Sequence, residues 1–163
     1  MKLMLDQLIS HHPALRGHSV DYAKCGALAF ARAGHASPTS AKLDHDSAET
    51  QVEVEWSPQE LERLMVFDAN RVTEDGAEAV ALTYANAKAS WVVKRRLQRG
   101  ESADWLLQNK SGWLALEVSG MMSGNPHARL IEKKLQVAKC SLPVGRLAVV
   151  VAFDAPTILA GSV

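Results

Sequence analysis

Apolar positions along this chain switch between two periods, and the switches mark its elements. Val20 to Ala33 carries Ala23, Ala27, Phe30 and Ala31 at helical spacing in an alanine-rich run, which predicts a helix. Val52, Val54 and Trp56 alternate with Gln51, Glu53 and Glu55, the pattern of a half-buried strand with an acidic outer face. The stretch between, Gly34 to Glu49, is rich in Ser, His, Asp, Pro and Thr and reads as loop or weak strand. Ser57-Pro58-Gln59-Glu60 is a helix start: Ser57 caps, Pro58 suits the first turn and Glu60 completes a capping box. That helix is short and expected to end near Phe67. Thr73 is expected to cap the next one, with Glu74 and Asp75 in its first turn and Ala77, Val80, Ala81 and Tyr84 on one face.

The later pattern is denser. Trp91 to Leu97 reads as a strand, Asp104 to Leu107 as a second, and Asn109-Lys110-Ser111-Gly112 as the turn into a third, Trp113 to Val118. The third is almost wholly apolar and is expected to be central. Arg129 to Lys139 reads as a helix, and Leu147 to Phe153 as a buried strand lying parallel beside the hairpin. The order is α-β-β-β-α-β. The expected fold class is α/β: a four- or five-stranded mixed sheet flanked by helices, preceded by an acidic α+β segment. Residues 1–57 form that segment, whose strand joins the sheet edge or builds a dimer face, and residues 58–163 form the core.

Composition adds one fact. The 163 residues carry no formal net charge, yet residues 1–78 hold 13 acids and 7 bases while residues 79–163 hold 5 acids and 11 bases. The locally basic half keeps nucleic acid open as a partner despite overall neutrality. Apolar residues at 47% fit a packed globular chain. Cys25 and Cys140 stand far apart and imply no disulfide framework. Asp6 interrupts the first apolar run, so no signal peptide is read, and no apolar stretch nears the roughly 20 residues of a membrane span. A cytoplasmic chain with no membrane partner is expected.

Two apolar strands each carry one carboxylate where a core residue could stand: Asp104 before Trp105-Leu106-Leu107, and Glu117 between Leu116 and Val118. A symmetric turn at Lys110 and Ser111 sets them opposite each other on one face of the hairpin, with Cβ atoms about 5 Å apart. Like charges that close resist joint ionisation unless a cation lies between them, and Mg²⁺ takes such hard oxygen ligands. The plainer reading is that each acid is an edge or strand-end residue, or pairs with Lys94 or Arg95.

Other candidates are weaker. Lys94-Arg95-Arg96, with Lys88 and Arg99 nearby, could contact phosphates; in a regular strand Lys94 and Arg96 face one side and Arg95 the other. A charge-guarded edge strand is the simpler alternative. Five of the six histidines lie in the first 45 residues without zinc-site spacing. Met121 to Pro126, with Gly120 and Gly124, is a loop that lacks the end of a Walker motif.

The run Gly76-Ala77-Glu78, Trp91-Val92-Val93, Ala103-Asp104-Trp105-Leu106-Leu107, Leu114 to Gly120 and the Lys133/Lys134/Gln136 helix resembles the core of PD-(D/E)XK nucleases, most of all the Holliday-junction-resolvase-like branch. The resemblance covers roughly residues 72–153 and implies a restriction-endonuclease-like fold. It implies Mg²⁺ or Mn²⁺ held by Asp104 and Glu117, with Glu78 assisting and the Val118 carbonyl as a further ligand. Gln136, Lys133 or Lys134 would orient the phosphate, and a homodimer would follow by analogy. The family pattern Glu-x-Lys reads Glu117-Val118-Ser119 here. Serine is a poor general base, so three readings stay open: a lysine from the next helix substitutes, the metal suffices, or catalysis is lost. The expected function is metal-dependent hydrolysis of DNA or RNA. The alternative is an inactive nuclease-fold module that binds nucleic acid or a partner protein, as in defence or toxin–antitoxin systems.

Overall fold

The computed structural model of the chain describes residues 1–57 and 68–163. The helix expected from Pro58 to Phe67 lies outside them. Eight strands form one mixed sheet: β1 (Lys2–Met4), β2 (Thr39–His45), β3 (Ala48–Glu55), β4 (Val92–Arg96), β5 (Trp105–Asn109), β6 (Gly112–Met121), β7 (Gly145–Ala152) and β8 (Thr157–Ser162). The helices are α1 (Leu8–His11), α2 (His18–Arg32), α3 (Ala69–Ala89) and α4 (Pro126–Val137). Strand order is β1-β3-β2-β8-β7-β6-β5-β4. β1 runs parallel to β3, β2 to β8 and β6 to β7, and the remaining neighbours are antiparallel.

The α/β class is as expected, but the sheet has eight strands rather than four or five. The difference lies in residues 1–57, which lay three strands into the same sheet, and in β8. Gly34 to Glu49, read as loop or weak strand, holds β2, whose Ala41 and Leu43 are buried. The expected strand at Gln51 to Trp56 is β3, and it pairs on both sides, with β1 and β2.

α3 is the central helix. It is buried without a break from Gly76 to Ala85; small and apolar residues dominate that run, as suits a helix covered on every side, and Glu78 and Thr83 are its polar members. Its cap is Asp68, whose carboxylate accepts from the N–H groups of Asn70 and Arg71. Thr73, expected at the cap, lies inside the helix and its hydroxyl donates to the Ala69 carbonyl at 2.8 Å. Asp68 wins because a β-region carboxylate one turn earlier satisfies two free N–H groups.

Two contacts fix how α3 sits. It meets α2 where Gly76 faces Gly26, so close that a Cβ on Gly76 would lie 3.1 Å from the Gly26 Cα. It meets β6 at Gly120, where a Cβ would lie 2.1 Å from the Thr73 carbonyl oxygen. Only glycine allows that backbone approach.

Residues of β6 alternate between two cores. Leu114, Leu116 and Val118 pack with α2 and α3. Ala115 packs on the other side with Val137 and Ala148. A buried histidine braces the N-terminal turns: the His12 Nε2–H donates to the Leu82 carbonyl at 3.0 Å, and Nδ1 accepts from the Val93 N–H at 3.1 Å. Those partners define a neutral ring, and burial pushes its pKa down to about 4. Among the described residues no helix is long and apolar enough to cross a membrane.

Candidate functional site

The β5–β6 hairpin has the register expected from its turn. The Asn109 side chain accepts from the N–H groups of Ser111 and Gly112, and the pairing runs from Asn109 with Gly112 to Trp105 with Leu116. One residue further on, Asp104 stands beside Glu117. The Asp104 N–H donates to the Leu116 carbonyl at 3.0 Å, and its carboxylate accepts from the Val118 N–H at 2.8 Å. Asp104 precedes β5 rather than opening it, and this side-chain to backbone bond extends the pairing past the end of the strand.

Glu117 is 1% exposed. It lies on the α4 side of β6, and Lys133 reaches it from that helix: Nζ donates to Oε1 at 2.6 Å and to the Gln136 Oε1 at 3.1 Å. The second carboxylate oxygen of Glu117, Oε2, has no hydrogen-bond partner. Burial, then the charge of Asp104, pushes the Glu117 pKa up; Lys133 pulls the other way without reversing the direction.

Glu78 enters from α3, delivered by the close approach at Gly120. It is 7% exposed and pairs with Arg96 at 2.9 Å. Burial outweighs that guanidinium, and Asp104 adds repulsion, so its pKa is pushed up to about 7. Arg96 also donates to the Tyr22 hydroxyl and lies over the Trp105 ring, 4.9 Å from its centroid. A β-bulge makes this possible. The register of β4 against β5 slips between Val93 and Arg95, so Val93 pairs with Leu107 but Arg95 with Leu106 and Arg96 with Trp105. The extra residue, Lys94, shifts the alternation by one. Arg96 therefore shares the α3 face with Val93, and Arg95 turns to the other face.

Together these groups line a cleft of about 250 Å³ that also takes in Glu74, Val118, Ser119, Gly120, Arg129 and Gln136. The Ser119 hydroxyl accepts from the Arg129 Nε at 3.0 Å. Of the residues singled out in the sequence, Glu78, Asp104, Glu117, Val118, Ser119, Lys133, Gln136 and Arg96 converge here. Lys134 does not: its side chain lies against Gly161 of β8. The alternation expected, Lys94 with Arg96 on one side and Arg95 on the other, does not hold: the bulge parts Lys94 from Arg96. Arg95 makes two bonds to Glu101, which holds that carboxyl down at about 2. Lys94 lines a separate groove with Lys110 and Gln108. Among the described residues no three His, Cys, Asp or Glu side chains gather closely enough to hold a metal unaided. Two carboxylates do fit a hard cation that keeps most of its water, as Mg²⁺ does, and the unpartnered Glu117 Oε2 is a buried acceptor of the kind such an ion satisfies.

Sequence reasoning missed Arg129 and Glu74. Arg129 was legible in part: it stands four residues before Lys133, one helical turn away, as Ser119 stands two residues after Glu117, on one strand face. No protein-family model, curated protein or solved structure matches the chain.

Proposed function

We propose that this chain is a metal-dependent nuclease that hydrolyses phosphodiester bonds in DNA or RNA, with Asp104 and Glu117 as ligands of Mg²⁺ or Mn²⁺. The observation that carries the reading is the Glu117 carboxylate: nearly solvent-free, beside Asp104, with one oxygen unpartnered in a polar cleft. An uncompensated buried acceptor is costly, and a cation at that oxygen removes the cost. The order α3, β4, β5, β6, α4, β7, with β6 parallel to β7, also supports a restriction-endonuclease-like core. When bound, the cation supplies Lewis-acid charge at the phosphoryl group. Asp104, fixed by the Val118 N–H, and Glu117, fixed by Lys133, hold their orientation before any ligand arrives. Lys133, from α4, would take the place of the superfamily's Glu-x-Lys lysine as the cation beside the Glu117 carboxylate, which it orients.

One observation favours a second reading, a non-catalytic nucleic-acid- or protein-binding module. Glu78 and Glu117 already have cationic partners in Arg96 and Lys133, so the cleft balances much of its own charge. Calorimetry with Mg²⁺ and Mn²⁺ on the wild type, Asp104→Ala and Glu117→Ala, with a DNA and RNA cleavage screen in the same buffer, decides between them. Metal binding that both variants lose, with cleavage, is the expected result. Binding without cleavage favours the module. No binding by the wild type ends the nuclease reading.

A further inference from the structure

Helix α4 and strand β6 face each other across a two-rung ladder. Residues two apart on β6, Glu117 and Ser119, meet residues four apart on α4, Lys133 and Arg129, at 2.6 Å and 3.0 Å. The first rung is an ion pair, whereas the second joins a cation to a neutral hydroxyl. We propose that Arg129 is the phosphate-binding cation of this cleft and that Ser119 is the residue that positions it. The ligand class is the phosphodiester oxyanion of a nucleic-acid strand, and the inference rests on the nuclease reading above.

Among the described residues three cations line the cleft. Arg96 is committed to Glu78 and Tyr22. Lys133 spends its ammonium on Glu117 and Gln136. Arg129 uses Nε on Ser119 and Nη1 on the exposed Glu132. Its Nη2 makes no hydrogen bond among the described residues. A hydroxyl at Nε fixes the plane of the guanidinium without neutralising it. At the Nη edge, Nη2 is left to a phosphate oxygen, and Nη1 joins it in a planar fork when the exposed Glu132, 65% accessible, gives way to the ligand, the geometry in which arginine binds phosphate best.

Charge decides when that edge can be used. Among the described residues four acids line the cleft, Glu74, Glu78, Asp104 and Glu117, against Arg96, Arg129 and Lys133. Fully ionised, the lining carries one net negative charge and repels a phosphate; one divalent cation reverses the sign. With all four acids ionised, a divalent cation therefore strengthens phosphate binding at Arg129.

The test is anisotropy of a short fluorescent single-stranded DNA oligonucleotide in Ca²⁺, with Ca²⁺ calorimetry alongside and a urea melt of each variant as the check on folding. Arg129→Ala should weaken oligonucleotide binding about ten-fold or more, the size of one charged hydrogen bond lost, and lower the salt slope by about one. Its Ca²⁺ affinity should stay within about two-fold, since Arg129 is placed on phosphate and not on metal. Arg129→Lys should keep part of the affinity. Ser119→Ala should weaken binding, whereas Ser119→Thr, which retains the hydroxyl, should restore it; a merely structural serine would not follow that order. Arg129→Ala binding like the wild type, or a Ca²⁺-loaded wild type that ignores the oligonucleotide, overturns the inference while leaving the metal site standing. A wild type that takes up no divalent cation overturns both.

Discussion

In β3, Glu49, Glu53 and Glu55 stand on the side of the sheet away from Val52 and Val54, answered by Lys42 of β2 and Lys2 of β1. In β6, Glu117 stands between Leu116 and Val118, answered by Lys133 from a helix. The residue types and the pairing logic are the same, and the surroundings differ. Helix α4 packs on β6, β7 and β8, so Glu117 is almost completely removed from water. The side chains of Lys42 and Glu49 remain 40% and 60% exposed. An exposed pair costs little and contributes little. A buried carboxylate demands a partner for each oxygen, and Glu117 has a partner for one. A charged residue in a strand becomes informative when something covers it.

The largest effect expected from this contrast is that of Lys133→Ala. It leaves a buried carboxylate unpaired, and the variant should lose about 3 kcal/mol of stability at pH 8. Without Lys133 the folded pKa of Glu117 rises further, so the folded state holds a proton that the unfolded chain releases. The loss should therefore shrink as pH falls towards the ordinary glutamate range. Urea unfolding at pH 5 and pH 8 reads it; equal losses at both would mean that Glu117 is not the group left stranded.

Next comes Glu78→Gln. The folded pKa of Glu78 is pushed up to about 7, so its stabilisation is present below the unfolded value and is lost as pH rises through 7. His12 acts in the opposite sense: its folded pKa of about 4 lies below the ordinary value, and stability is lost as pH falls from about 6.5 to 4. The two trends offset each other in the wild type. Glu78→Gln removes one of them, so relative to wild type it should become less stable by about 2–3 kcal/mol on going from pH 7 to pH 4.5. A parallel pair of stability curves would refute the assignment. The smallest effect is on the exposed side: Glu53→Ala should change stability by no more than about 0.5 kcal/mol, and a larger loss in a thermal melt would break the contrast between the two halves.

The sequence made the hairpin legible because turn chemistry and apolar alternation agree there: Asn109 and Gly112 close it, and Leu107, Leu114 and Leu116 line one face. It made β7 legible because a run of valines suits a strand covered on both sides. β2 was hidden by Ser40 and Asp44, which stand on the face away from Ala41 and Leu43, and by His45, which shares the buried face and bonds the Tyr84 hydroxyl; all three dilute the strand signal. Asp104 and Glu117 stood out because an acid in an apolar run breaks the local pattern. The direction of Arg96 was not legible, since it depends on one extra residue in β4 that no side-chain pattern announces. Arg129 depended on how α4 docks, which is a tertiary fact.

The extra residue at Lys94 also governs what can be added to the sheet. β4 is one rim, and its bulge and its three consecutive basic residues spoil the straight row of free amides and carbonyls that a foreign strand would copy. The other rim, β1, is three residues long. Fibre growth by strand accretion is thus discouraged at the β4 rim, where an incoming chain has to find its footing on side chains.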